Sequence, residues 1–129
     1  MDTSRLKKLP LFESVPDEDL ERISYLVSEV SVSEGKPLVI EGDYAYEFMA
    51  IEEGTAEVRR GEEKLAELGP GDFFGEMGLL GDDKRNATVV ATSPMRLLTL
   101  DQWDMRRLEK VVPSAAEKIH SAARARGNA

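Results

Sequence analysis

Glu76 and Arg85 are the side chains of this sequence whose types and spacing could do chemistry together. Arg85 offers a fixed positive charge on a planar fork that can grip two oxygens of one phosphate. Glu76, nine residues earlier, is a pure acceptor when ionised and suits hydroxyl groups. The chain around them is built for close backbone approach. Five of its ten glycines fall from Gly69 to Gly81, and glycine makes positive-φ turns without steric cost. Glu76-Met77-Gly78-Leu79-Leu80 reads as one short helical turn entered through Gly75. Such a start leaves backbone N–H groups free in a positive local field, which suits an anion. After Arg85, the run Asn86-Ala87-Thr88 could bring further amides to the same oxygens. A carboxylate for hydroxyls, an arginine for phosphate and a glycine-rich turn together describe a sugar-phosphate cradle.

The elements that must carry this cradle are mostly short strands. Val30/Val32, Leu38/Ile40, Phe48 to Ile51, Ala56/Val58, Leu65 to Leu68, Thr88 to Ala91 and Leu97 to Leu100 supply them. Turn signals at Ser33-Glu34-Gly35, Glu41-Gly42-Asp43, Glu52-Glu53-Gly54 and Arg60-Gly61-Glu62 separate them. Many short strands at regular spacing imply a barrel or double-sheet jelly roll. Ahead of the strands, Leu6 to Phe12 is a short helix broken by Pro10, and Pro16-Asp17-Glu18-Asp19 opens a second helix with Leu20, Ile23, Leu26 and Val27 as its buried stripe. Behind them, Asp101 is the N-cap for Gln102 to Val111, which buries Met105 and Leu108. Pro113 starts a last helix that runs to about Arg126.

Composition narrows the function classes. Net charge is −8 at neutral pH and the pI is near 4.7, which argues against a nucleic-acid groove, since such binding is dominated by phosphate neutralisation. No apolar run approaches the roughly 20 residues of a membrane span, and the amino terminus lacks a signal-peptide core. The sequence has no cysteine, so it offers no disulfide, thiol nucleophile or zinc-thiolate site. The location expected is the cytoplasm. His120 is the one histidine, too few for a jelly-roll metal centre, and a Ser-His-Asp triad would have to recruit it from the last helix. Paired acids such as Asp82-Asp83 and Glu52-Glu53 read as solvated turns. Trp103 could stack on a base, but packing against the fold is the better expectation for it. Arg106 and Arg107 are expected to solvate a helix face. No enzyme activity is expected.

The run Phe74-Gly75-Glu76-Met77-Gly78-Leu79-Leu80, followed by Lys84-Arg85-Asn86-Ala87-Thr88-Val89, resembles the phosphate-binding cassette of cyclic nucleotide-binding domains. That family includes regulatory subunits of cAMP-dependent kinases, catabolite activator protein and nucleotide-gated channels. Its pattern lies on residues 74–89 without a gap, and Leu9-Pro10-Leu11-Phe12, Gly42-Asp43, Gly54 and Leu68 to Phe74 extend the likeness over nearly the whole chain. The resemblance implies a mainly β fold with flanking helices, a double-stranded β-helix (jelly-roll) barrel in one domain over residues 1–129. The amino-terminal helices would occupy residues 1–28, the barrel residues 29–100 and the carboxyl-terminal helices residues 101–126. The ligand implied is a cyclic purine nucleotide, cAMP first and cGMP second, with no further cofactor. Arg85 and the amides near Gly78, Asn86, Ala87 and Thr88 would hold the phosphate, and Glu76 with the Gly75 and Met77 backbone would hold the ribose. Filling the cassette would reposition the carboxyl-terminal helices and signal to a protein partner or a second copy, with no nucleic acid or membrane as partner. Lys84 and Asn86 depart from the family's proline and small residue, and Tyr46 stands where a turn acid is usual. These departures motivate the alternative, a domain that keeps the architecture without nucleotide and serves as a structural or interaction module.

Overall fold

Two four-stranded antiparallel sheets lie face to face, and helices cover the outer side of one of them. The computed structural model describes residues 2–42, 47–75 and 87–126, with side chains described as far as Ala122. Helix α1 (Thr3–Lys7) begins at Asp2, whose carboxylate accepts the Ser4 N–H at 2.9 Å. A 3-10 turn at Pro10–Phe12 follows, then α2 (Asp17–Ser24) with three acids in its first turn, where the helix dipole favours negative charge. The strands are β1 (Ser28–Val32), β2 (Pro37–Val39), β3 (Glu47–Glu53), β4 (Ala56–Arg60), β5 (Glu63–Leu68), β6 (Phe73–Phe74), β7 (Thr88–Ala91) and β8 (Met95–Asp101). Helices α3 (Gln102–Val111) and α4 (Pro113–Arg126) close the order, and the Asp101 carboxylate caps α3 by accepting the Asp104 N–H at 2.7 Å. One sheet runs β1-β8-β3-β6 and the other β2-β7-β4-β5.

Strands β3 and β8 explain why two stretches of sequence are apolar without alternation. In β3, Met49 and Ile51 enter the core between the sheets, while Phe48 and Ala50 enter a second core beneath the helices. In β8, Met95 and Leu97 face the first core and Leu98 and Leu100 the second. Successive side chains point to opposite faces, so a strand buried on both faces must be apolar throughout. The second sheet has water on its outer face and keeps the alternation: Ala56, Val58, Val89 and Ala91 are buried while Glu57 and Arg59 turn outward. Leu65 lies in the strand expected for it and is 41% exposed, because β5 is an edge strand with Leu68 as its single buried residue.

The fold class is mainly β with flanking helices in a jelly-roll arrangement, as expected. The closed barrel is not. Among the described residues no hydrogen-bonded ladder joins the two sheets, and the edge strands β2 and β6, three and two residues long, are too short to carry one round the corner. Gly54 sets one corner: at φ 94° it lies so close to β8 that an added β-carbon would stand 2.4 Å from the Pro94 carbonyl oxygen.

Candidate functional site

The cassette is entered from one sheet and left through the other. Phe74, at the end of β6, pairs with Met49 of β3, whereas β7 begins at Thr88 and lies between β2 and β4. Its two ends therefore rise from facing sheets on either side of the apolar core. Phe74, Ala87 and Val89 are buried there with Val39, Met49 and Leu68, all within one cluster. Glu76, Met77, Gly78, Lys84, Arg85 and Asn86 lie outside the described residues, as do Tyr46 and the expected helical turn at 76–80. Of the expected ligand-binding residues, Gly75, Ala87 and Thr88 are described.

Gly75 is buried with φ at 88°. A side chain rarely adopts that backbone conformation, so the choice of glycine here is set by the turn itself. The approach to it is held rigidly against β3. Gly71 N–H donates to the Ile51 carbonyl at 2.8 Å, and the Asp72 carbonyl accepts the Ile51 N–H at 2.8 Å. The Asp72 side chain closes the turn by accepting the Gly69 N–H at 2.8 Å. The run Leu68-Gly69-Pro70-Gly71-Asp72 is thus a clamped lead into Phe74 and Gly75.

On the exit side, Thr88 does more than continue the chain into β7. Its hydroxyl oxygen accepts the Glu41 N–H at 2.9 Å, and the Glu41 carboxylate accepts the Gly61 N–H at 3.1 Å. Two turns and a strand meet in this way: the turn after β2, the β4–β5 hairpin and the start of β7. With a lone pair of the oxygen committed to Glu41, the Thr88 hydroxyl hydrogen remains to be aimed at an acceptor. Glu41 was legible only as a turn residue, and its tie to Gly61 spans 20 positions that no local pattern connects.

Other charged groups tie helices to strands and to one another. Arg5 of α1 donates to both carboxylate oxygens of Glu52 on β3 and pairs also with Glu29 on β1. The hydrogen bonds from Arg5 hold the Glu52 carboxyl below the usual carboxylate range, and the charges of Arg5, Arg96 and Lys8 add to them. Asp104 is pushed the other way, first by burial and then by the neighbouring Asp101 charge. His120 is packed between the last two helices, its Nε2 3.4 Å from a Glu109 carboxylate oxygen. Trp103 corrects the sequence expectation, because its side chain is 61% exposed and does not pack into the core. Among the described residues, no group of three or more acidic or histidine side chains is placed to hold a metal ion. Among them, too, no helix is long and apolar enough to cross a membrane.

Comparison with known proteins bears on this geometry. The chain is 34% identical over 103 residues to a cAMP-dependent protein kinase regulatory subunit of Hypocrea atroviridis, covering 80% of this chain and 22% of that protein. It spans under a third of the length of the curated relatives it matches, from 22% to 29%. The catabolite activator protein of Thermus thermophilus superposes with a TM-score of 0.83 at 29% identity, over 91% of this chain and 57% of that one. The amino-terminal domain of a transcriptional regulator from Streptomyces coelicolor superposes with a TM-score of 0.78 at 29% identity, over 97% of this chain and 90% of that one. The family model described as cyclic nucleotide-binding domain matches residues 29–110, which include the clamped lead, the cassette and β7. The chain belongs to the cyclic nucleotide-binding domain family.

Proposed function

We propose that the chain is a non-enzymatic regulatory module that binds a cyclic purine nucleotide, cAMP first and cGMP second, in the segment from Gly75 to Thr88. The observation that carries this reading is the unbroken run Phe74 to Val89, set on the frame of the family and entered through a buried glycine at φ 88°. Arg85 with the amides of Gly78, Asn86 and Ala87 takes the cyclic phosphate, Thr88 donates its hydroxyl beside them, and Glu76 with the Gly75 and Met77 backbone takes the ribose. Apolar strand residues form the pocket for the base. Residues 1–129 act as one module needing no further cofactor. It works in the cytoplasm, where a charged nucleotide reaches it without crossing a bilayer.

Signal leaves through α3 and α4 to a protein partner or a second copy. A ligand moves those helices only by binding one of their arrangements better than the other. Calorimetric titration with cAMP and cGMP, repeated on Arg85→Ala, tests the reading. A buried charge-assisted phosphate contact is worth about 2–5 kcal/mol on truncation, so micromolar or tighter binding should collapse in the variant. Heat-silent titrations of folded protein would sink it and leave the alternative that Lys84, Asn86 and Tyr46 motivate, a nucleotide-free interaction module.

A further inference from the structure

The outer face of α3 carries a feature that nucleotide binding does not use. Trp103, Arg106, Arg107, Lys110 and Val111 recur there at helical spacing, opposite the buried Met105 and Leu108, and all five are exposed. The Arg106 guanidinium sits 5.1 Å from the centre of the Trp103 ring, within cation–π range, so the pair is already arranged. At the carboxyl end of the helix, Val111 joins Arg22, Tyr25 and Leu26 around an open groove of about 440 Å³. Tyr25, Trp103 and Val111 are 81%, 61% and 47% exposed, and they are three of the six large apolar or aromatic side chains left in water among the described residues. Four cations flank them: Arg106 and Lys110, and Arg22 and Arg107, which also pair at the surface with Asp19 and Asp104 of their own helices, with Glu109 as the one exposed acid of α3. The asymmetry extends further, since residues 102–126 hold six Lys/Arg against three Asp/Glu in a chain of net charge −8.

We infer that this strip, from Trp103 along α3 to the Tyr25–Val111 groove, docks an acidic amphipathic segment of a partner protein. Charge and shape both select that class. The apolar groove and the ring of Trp103 call for aliphatic or aromatic side chains, and the cations beside them call for carboxylates. The face of α3 spans about 10 Å from Trp103 to Lys110 at the usual helical rise. A short acidic segment can engage that island alone, whereas a duplex or an anionic bilayer extends beyond it over the acidic remainder of the protein. Tryptophan, tyrosine and arginine are also the residue types enriched among those that carry most of the binding energy in protein interfaces.

Trp103 is the single tryptophan of the chain and so reports on its own site. The full chain is titrated, with emission recorded, against a tryptophan-free peptide of about four helical turns carrying glutamates on one face and leucines on the other. A peptide of the same composition in scrambled order is the control. The expected result is a saturable blue shift with the ordered peptide and a response at least about tenfold weaker with the scrambled one. Arg106→Glu/Arg107→Glu should weaken the ordered peptide by at least about tenfold too, with the cyclic nucleotide titration and melting temperature of the variant unchanged. Equal response to both peptides, or none to either, overturns the inference. It is overturned equally if phosphatidylserine vesicles or duplex DNA shift the emission where the peptide does not. Sedimentation that shows a dimer dissolved by the same two substitutions overturns it in favour of a second copy.

Discussion

Thr88 couples the cassette to the rest of the fold through one oxygen atom. That oxygen accepts the Glu41 amide, and Glu41 in turn holds the β4–β5 hairpin through Gly61. Thr88→Val keeps the shape and deletes the oxygen. The Glu41 amide is exposed, so water replaces the lost partner and the stability cost should stay under about 1 kcal/mol in urea denaturation. Nucleotide affinity should fall by about tenfold in calorimetry, the ordinary worth of one hydrogen bond to a charged group. Thr88→Ser, which keeps the hydroxyl, should restore most of it. A stability loss without an affinity loss would make Thr88 a structural residue alone. Gly75 states the complementary rule for the entry side: a buried position at φ 88° excludes side chains for backbone reasons, before any ligand is considered.

At the scale of elements, the corner formed by Gly54 and the extra tie made by Arg5 carry the predictions. Gly54→Ala would drive a β-carbon to 2.4 Å from Pro94 O and 2.9 Å from the Met95 α-carbon, both backbone atoms that cannot rotate aside. The expected loss is about 3 kcal/mol or more, by overpacking on top of the positive φ. Gly61→Ala, at φ 60° with open space around it, should cost only about 1 kcal/mol. Equal losses at the two positions would show that the close approach of Gly54 to β8 is unimportant. Arg5 holds Glu52 below its usual carboxylate range, and the sign of the pH dependence follows. A depressed folded-state value means that the contribution is present above the unfolded carboxylate range and is lost as pH falls through the lower folded value. Stability should therefore decline on the acid side, and Arg5→Met should flatten that limb in urea midpoints measured from neutral pH to about pH 3. An unchanged slope would remove Glu52 as its source.

Legibility differed between elements for physical reasons. The turns at Gly35, Gly42, Gly54 and Gly61 and the capped helix after Asp101 were readable because each rests on local chemistry: a glycine for positive φ, a carboxylate for free amides. Strand β6 was missed, since two residues have no period to detect. The strand at Leu65 to Leu68 was legible but its exposure was not, because edge and centre strands share one local pattern and the pairing of β5 with β4 alone decides it. Trp103 was misplaced for a similar reason, as its helical stripe is set by Met105 and Leu108 on the opposite side. The Arg5–Glu52 and Thr88–Glu41 contacts each span 47 positions and left no trace in local sequence.

For the whole molecule, nucleotide binding and stability are linked by mass action. If the folded chain alone binds, cAMP at a hundred times its dissociation constant should add about 2.7 kcal/mol. That should appear as a rise of several degrees in the melting temperature, absent in Arg85→Ala. A melting point that ignores saturating cAMP would contradict the proposed function directly.

The strand order β1-β8-β3-β6 has a consequence for how the chain is made. Strand β8, the last of the eight to be synthesised, sits in the middle of its sheet. Until Met95 to Asp101 has left the ribosome, β1 lacks its one ladder partner among the described strands, and of these β3 can pair only with β6. The nascent chain therefore waits with open strand edges, the form most prone to stray pairing. Slowing translation just before codon 95 should lengthen that wait and raise the share of chains lost to aggregation. The keystone of this sheet arrives after the stones it holds.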